Sequence, residues 1–368
     1  MGHVENKVLL KQLLLEKAIA LESNDFLWKT PKALPGVFTF DRVDGMLLGL
    51  AIGDSLGNTS ESMNPGDRQR LYGKITDYLP NPHANLRRVG LPSDDTQMAF
   101  WTLEVLLEDG CIDPDHLARR FLQERILGVG ESVRQFLAAY KDQDTHWRNA
   151  GTPSAGNGAI MRIAPVVLPH LKRPGANLWA DAALAGMVTH NDRASNAACV
   201  AFTAMLWDLF SMEQPPDKYW WLERYCEIAG PLEGDQTCYS SRMLGLDYAG
   251  PIWKFTQEQV EQAVEKHWST LDASYTWGSG AYLLETIPST LYILMCYARD
   301  PEQAIIRAVN DTRDNDTVAA IVGAAVGALH GKSALPARWI KDLLGRTNER
   351  NDGHIFRLVD QARAHFVD

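Results

Sequence analysis

Cysteine is sparse in this 368-residue chain, and the five present, Cys111, Cys199, Cys226, Cys238 and Cys296, form no C-x-x-C pair. Their scatter argues against a zinc site or a disulfide framework and fits a reducing cytosol, so they read as packing residues. No stretch offers eighteen uncharged apolar residues, and Lys7, Lys11, Glu16 and Lys17 interrupt the N-terminal region, so neither a membrane span nor a signal peptide is expected. The N-myristoylation pattern is missing too, because Asn6 stands where it requires Ser or Thr. Positive charge is in deficit: 36 Lys and Arg against 46 Asp and Glu give −10, which argues against a general binder of nucleic-acid backbone. Sustained two-residue alternation of apolar and polar side chains is also absent, which disfavours the sheet-based classes. The expectation is a soluble, cytoplasmic protein with neither nucleic acid nor membrane as a partner.

What is present is a 45% apolar chain patterned for helices, enough for a substantial core. Leu10, Leu13, Leu14, Ala18 and Leu21 recur at helical spacing over residues 4–22 and predict an amphipathic helix. Pro31, Pro35 and Gly36 then break the stretch Ser23 to Phe40, so residues 1–40 read as a separable extension. From Asp41 the pattern predicts helices over 41–56, 94–108, 113–127, 179–189, 193–211, 257–268, 280–298, 301–310 and 317–330, hence an all-α fold. Glycine recurs every four residues at Gly45, Gly49, Gly53 and Gly57, and again at Gly323, Gly327 and Gly331. Each Gly inside a helix costs up to about 1 kcal/mol relative to Ala, so close helix packing is the compensating use expected here. The spacing does not match a dinucleotide loop, and no strand precedes it.

Two short acidic clusters, Ser93-Asp94-Asp95-Thr96 and Asp314-Asn315-Asp316-Thr317, each precede an apolar helical run. Taken singly, each is what a helix N-cap and first turn prefer. Taken together, Asp94, Asp95, Asp314 and Asp316 would repel strongly in one small volume, and such a group holds either protons or hard divalent cations.

Read in order, Gly45 to Gly57 with Glu61, Ser93 to Thr96, Gly156-Asn157-Gly158 running on to Pro165, Thr189-His190-Asn191-Asp192, and Asp314 to Gly331 resemble the ADP-ribosylglycohydrolase family over residues 41–331. The resemblance implies a single all-α catalytic domain over 41–368 around a binuclear Mg²⁺ or Mn²⁺ centre, with ADP-ribose in a cleft above it. By position it implies metal ligands Ser93, Asp94, Asp95, Asp314, Asp316 and Thr317. It further implies Glu61 and Asp95 as the catalytic carboxylates, and Gly156, Asn157, Gly158 and His190 as substrate-binding residues.

The chain departs from the family pattern in places. Ser93 stands where Thr is usual, Thr312-Arg313 replaces a glycine-containing turn, and Ala281 replaces an aromatic residue, leaving Tyr275, Trp277 and Tyr282 as candidate adenine platforms. Core packing is the reading for Trp147, Trp207, Trp220, Trp221 and Trp253. Competing classes fit less well. An isoprenoid synthase needs a third Asp that Asp94-Asp95-Thr96-Gln97-Met98 lacks, and a phosphohydrolase His-Asp pair is split here by Asn191.

The expected substrate is an ADP-ribosylated protein, arginine-linked first, with serine-linked ADP-ribose or O-acetyl-ADP-ribose behind it. The extension adds a second reading, an immunity protein that also blocks an ADP-ribosyltransferase toxin through residues 1–40.

Overall fold

The structure is a computed structural model that describes residues 5–36, 38–142 and 145–367; residues 1–4 of the expected extension lie outside it. It is built almost wholly from helices, and the β-structure described is confined to isolated bridges and two antiparallel pairs, Pro80–Asn81 with Arg87–Arg88 and Tyr239–Ser240 with Ala249–Gly250. No helix among the described residues is long and apolar enough to cross a membrane.

Two helices form the centre, Asp41–Gly57 and Asn315–His330, and nearly every residue of both is buried. Helices buried all round need no polar face, which is why neither shows a polar stripe. Their glycines account for the distance of approach. A Cβ built at Gly49 would fall on the carbonyl oxygen of Gly323, one at Gly53 on that of Ala319, and one at Gly327 on that of Gly45. The two helices therefore meet backbone to backbone and run antiparallel, with Gly45 beside Gly327 and Gly57 beside Asp316. This seam carries the end of the first helix, with Asp54, to the start of the second, with Asp316.

Around this pair pack Asp94–Asp109, Arg193–Leu209, Leu283–Tyr297 and Pro301–Asp311, with Asn177–Met187 against Arg193–Leu209. Three of the starts are set by local chemistry. Ser93 caps Asp94–Asp109, Asp192 accepts from the Ser195 amide, and Asp300 accepts from the Gln303 amide ahead of Pro301.

The N-terminal helix spans Asn6–Leu15 and lies against Asn177–Met187, with Leu10 and Leu13 fully buried. The segment after it is tied down by side-chain to backbone hydrogen bonds. Asn191 exchanges a pair with Ala18 and Ala20 at 2.8 Å each, and the indoles of Trp179 and Trp207 donate to the carbonyls of Lys29 and Lys32 at 2.7 and 2.8 Å.

Candidate metal centre

Both acidic clusters sit at helix starts that face one another across the end of the glycine seam. Asp94 and Asp95 occupy the first turn of Asp94–Asp109, and Asp316 the first turn of Asn315–His330. A helix N-terminus favours negative charge, so the two backbone dipoles offset part of the repulsion among the carboxylates. Asp314 occupies the N-cap position yet makes no capping bond; its Oδ2 accepts instead from Asn157 Nδ2 at 2.5 Å.

Two triads of carboxylate oxygens come within 4.8 Å of one another: Asp54 with Asp95 and Asp316, and Glu61 with Asp314 and Asp316. Asp316 belongs to both, so the geometry offers two adjacent cation positions with a shared ligand. The donor set fits the group. Asp95 Oδ1 is buried with no hydrogen-bond partner among the described residues, and an orphaned carboxylate oxygen facing two others requires a proton or a cation. All-oxygen donors of this kind suit Mg²⁺ or Mn²⁺.

Electrostatics agree. Burial, followed by the neighbouring carboxylates, holds Asp94, Asp95 and Asp316 well above the usual carboxylate range, and burial pushes Asp314 up to about 7. Glu61, which opens onto solvent, is raised by desolvation and then by Asp54.

The expected residues take up distinct places. Asp95, Asp314 and Asp316 join the triads, Asp94 and Thr317 line the cleft above them, and the Ser93 hydroxyl donates to Asp95 Oδ2 at 3.0 Å. The cleft, about 380 Å³, also brings Glu61, Gly156, Asn157, Gly158 and His190 together. His190 packs against the loop glycines: a Cβ at Gly158 would stand 2.9 Å from its Cε1, too close without a shift, and one at Gly156 would make a tight 3.3 Å contact with its Nε2. His190 is buried, its Nδ1 is 2.9 Å from the Thr189 hydroxyl, and burial with the nearby Arg162 lowers it to about 3, so it is neutral at physiological pH.

Of the three aromatic candidates only Tyr282 lines the cleft. The Trp277 indole is buried and donates to Ser289, while the Tyr275 hydroxyl accepts from the Gly66 amide. Arg313 is exposed and donates to the carbonyl of Ser62 rather than lining the cleft.

Two residues that brace the carboxylate floor escaped the sequence reading. Asp54 accepts from the amides of Ser93 and Thr96, from the Thr96 hydroxyl and from Asn58, which clamps the first cluster to the central helix. Its signal was present in Gly53-Asp54-Ser55, inside the first glycine block. Arg68, fully buried, donates to Ser60 Oγ at 3.0 Å, to the Met63 carbonyl at 3.1 Å and to the Thr312 carbonyl at 2.6 Å. It fixes the loop carrying Glu61 to the turn carrying Asp314, and no local pattern announces it.

A centre of this shape on an all-α scaffold defines a hydrolase-like cleft over an acidic, cation-ready floor. The family model for ADP-ribosylglycohydrolase matches residues 36–366, and the chain belongs to that family. It is 27% identical to ADP-ribosyl-[dinitrogen reductase] glycohydrolase of Rhodospirillum rubrum over 314 residues, covering 84% of this chain and 92% of that one. Over 316 residues it is 25% identical to ADP-ribosylarginine hydrolase Tri1 of Pseudomonas putida, covering 82% of this chain and 74% of the relative. Among solved structures, a chain of an ADP-ribosylglycohydrolase-related protein complex superposes with a TM-score of 0.64 at 25% identity, covering 89% of this chain and 97% of that one.

Proposed function

We propose that this protein hydrolyses the glycosidic bond between ADP-ribose and a modified protein side chain, arginine by preference, and so reverses mono-ADP-ribosylation. The observation that carries this reading is the meeting, in one cleft, of Glu61, Asp95, Asp314 and Asp316 from the two carboxylate triads with the Gly156–Gly158 loop.

Cleavage at the anomeric carbon passes through a transition state with oxocarbenium character, which needs a fixed ribose, an activated water and stabilised positive charge. Asp54, Asp95 and Asp316 would hold one divalent cation, and Glu61, Asp314 and Asp316 the second, with Asp94, Ser93 and Thr317 beside them. The chemistry divalent cations would supply there is a lowered pKa of bound water and a hold on ribose hydroxyls. Glu61 and Asp95 share the task of orienting the attacking water and taking its proton, Glu61 from the open side and Asp95 from the floor. Gly156 and Gly158 let backbone amides approach the diphosphate closely, while neutral His190 supports that loop without adding charge. Asn157 holds Asp314 in place.

An arginine-linked substrate suits the acidic lining, which carries Glu61, Asp94 and Glu131 and would attract a cationic guanidinium. Release of ADP-ribose from arginine-linked and serine-linked peptides, side by side, tests the proposal. Loss of both activities in Asp316→Ala and in chelator is expected, and faster cleavage of the serine linkage would overturn the arginine preference. For the second reading, toxin capture through residues 1–40, no specific observation speaks; Leu10 and Leu13 of that segment are turned into the protein's own core.

A further inference from the structure

The cleft is lined by Glu61, Asp94, Asp95, Glu131, Asp314 and Asp316, yet a substrate carrying a diphosphate must enter it. Among the described lining residues a single permanently cationic side chain faces these six, Arg242, since His190 is neutral. Arg242 lies in the hairpin joining Tyr239–Ser240 to Ala249–Gly250, outside every motif that marked the site.

Its placement is fixed from both sides. The Tyr239 hydroxyl donates to Asp192 at 2.9 Å, and Glu233 accepts from Thr237 at 2.8 Å and from the Ile252 amide at 2.6 Å, which pins both feet of the hairpin. The Arg242 guanidinium carbon then stands 4.1 Å from the centre of the Tyr282 ring. Tyr282 is paired through its backbone with Gly156, so this stack sets the guanidinium next to the Gly156–Gly158 loop. Among the described residues no carboxylate or carbonyl hydrogen-bonds its N–H donors, although Glu285 lies near enough to feel its charge. A guanidinium held by its face and free at its edge is prepared to bind a phosphate oxygen pair.

We propose that Arg242 is a substrate-binding residue that grips the diphosphate of ADP-ribose from the side opposite the metal floor. The inference rests on the ADP-ribose reading above and deepens it. The bland alternative is a surface stack on Tyr282 with no ligand role.

The test is calorimetric titration of ADP-ribose into the full, Mg²⁺-loaded chain, its Arg242→Ala variant and its Arg242→Lys variant, at low and high NaCl. Arg242 is exposed, so both variants are expected to melt with the wild type. Loss of charge-assisted hydrogen bonds predicts about tenfold or greater weakening in R242A, with a shallower dependence on salt than wild type. R242K is expected between the two in affinity while keeping the wild-type salt dependence. Unchanged ADP-ribose affinity in R242A overturns the proposal, as does weakening with the salt dependence intact, because that pattern marks stacking rather than charge. Wild-type protein that fails to bind ADP-ribose at all would overturn the parent reading, and this inference with it.

Discussion

The side-chain amide of Asn157 lies 2.5 Å from Asp314 Oδ2, linking the glycine loop of the cleft to a carboxylate on its floor. Outer-sphere hydrogen bonds of this kind orient a ligand oxygen and typically govern metal affinity by about 10–100-fold. Asn157→Ala is expected to weaken Mg²⁺ or Mn²⁺ binding on that scale while leaving the fold intact. Metal titration followed by calorimetry checks it, and wild-type affinity in the variant would reduce the amide to a space filler.

The carboxylates make stability depend on pH in a defined direction. Asp314 is pushed up to about 7, and Asp94, Asp95 and Asp316 are also held well above the usual carboxylate range, by burial first and then by neighbouring carboxylates, Asp54 among them. Carboxyls of the unfolded chain titrate near ~4, so between these values the metal-free fold binds more protons than the unfolded chain. Its stability contribution from these groups is therefore full below about pH 4 and declines as pH rises through about 7. Divalent cations compete with those protons. Thermal melts should show Mg²⁺ raising Tm more at pH 8 than at pH 5.5; an increment independent of pH would contradict the assignment.

Alanine at Gly53 would place a methyl group on the carbonyl of Ala319, and relief requires the central helices to separate. Overpacking of this sort costs roughly 1–3 kcal/mol, and here it also moves Asp54 away from Asp316. Gly53→Ala is expected to lower both the urea midpoint and metal affinity. Gly175→Ala is the control, since nothing lies within 4 Å of its added Cβ.

Removing the guanidinium of Arg68 would strand the carbonyls of Ser60, Met63 and Thr312. Charged hydrogen bonds of this type are worth about 1.5–3 kcal/mol each, so Arg68→Ala should be strongly destabilised. Arg68→Lys keeps the charge without the fork and should fold with a reduced kcat, because Glu61 and Asp314 lose their common anchor. Parallel denaturation and steady-state kinetics separate the two effects, and wild-type kcat in the lysine variant would remove Arg68 from the positioning role.

Leu13 is fully buried on the N-terminal helix. Truncation of such a leucine costs about 2–5 kcal/mol when its surroundings cannot collapse. Leu13→Ala is expected in that range by chemical denaturation, and a change below about 0.5 kcal/mol would mean that the arm contributes little to the fold.

Much of the helical framework was legible because its signals are local. The run expected at 41–56 is the helix Asp41–Gly57, that at 94–108 is Asp94–Asp109, and that at 301–310 is Pro301–Asp311. Apolar spacing and capping residues act within a few turns, so they can be read without knowing the neighbours. The 113–127 run closes early, at Gln123, where the chain turns extended at Glu124. Both acidic clusters were visible for the same local reason, and the paired glycines foretold that two helices would meet.

Pairing across the chain was not legible. Asp54 meets Asp316 through the packing of the two central helices and Asp95 through the amides of Ser93 and Thr96, and Arg68 joins its near neighbours Ser60 and Met63 to Thr312, more than two hundred residues away. The two short hairpins carry too few residues to show an alternating pattern. Amphipathicity marked the first helix as needing a partner surface but cannot say which one.

A ladder of glycines at four-residue intervals has a mechanical property of its own. Steric fit alone would accept the two rods slid past each other by one rung, about 6 Å for four residues, since another smooth rung arrives at each step. Such a slip would carry Asp54 out of reach of its partners at the floor of the cleft. The bond from Asn315 to the Ser60 hydroxyl, with Arg68 bridging Ser60 to the Thr312 carbonyl, is thus the detent of a ratchet, and alignment of the carboxylate floor is locked at the end of the seam.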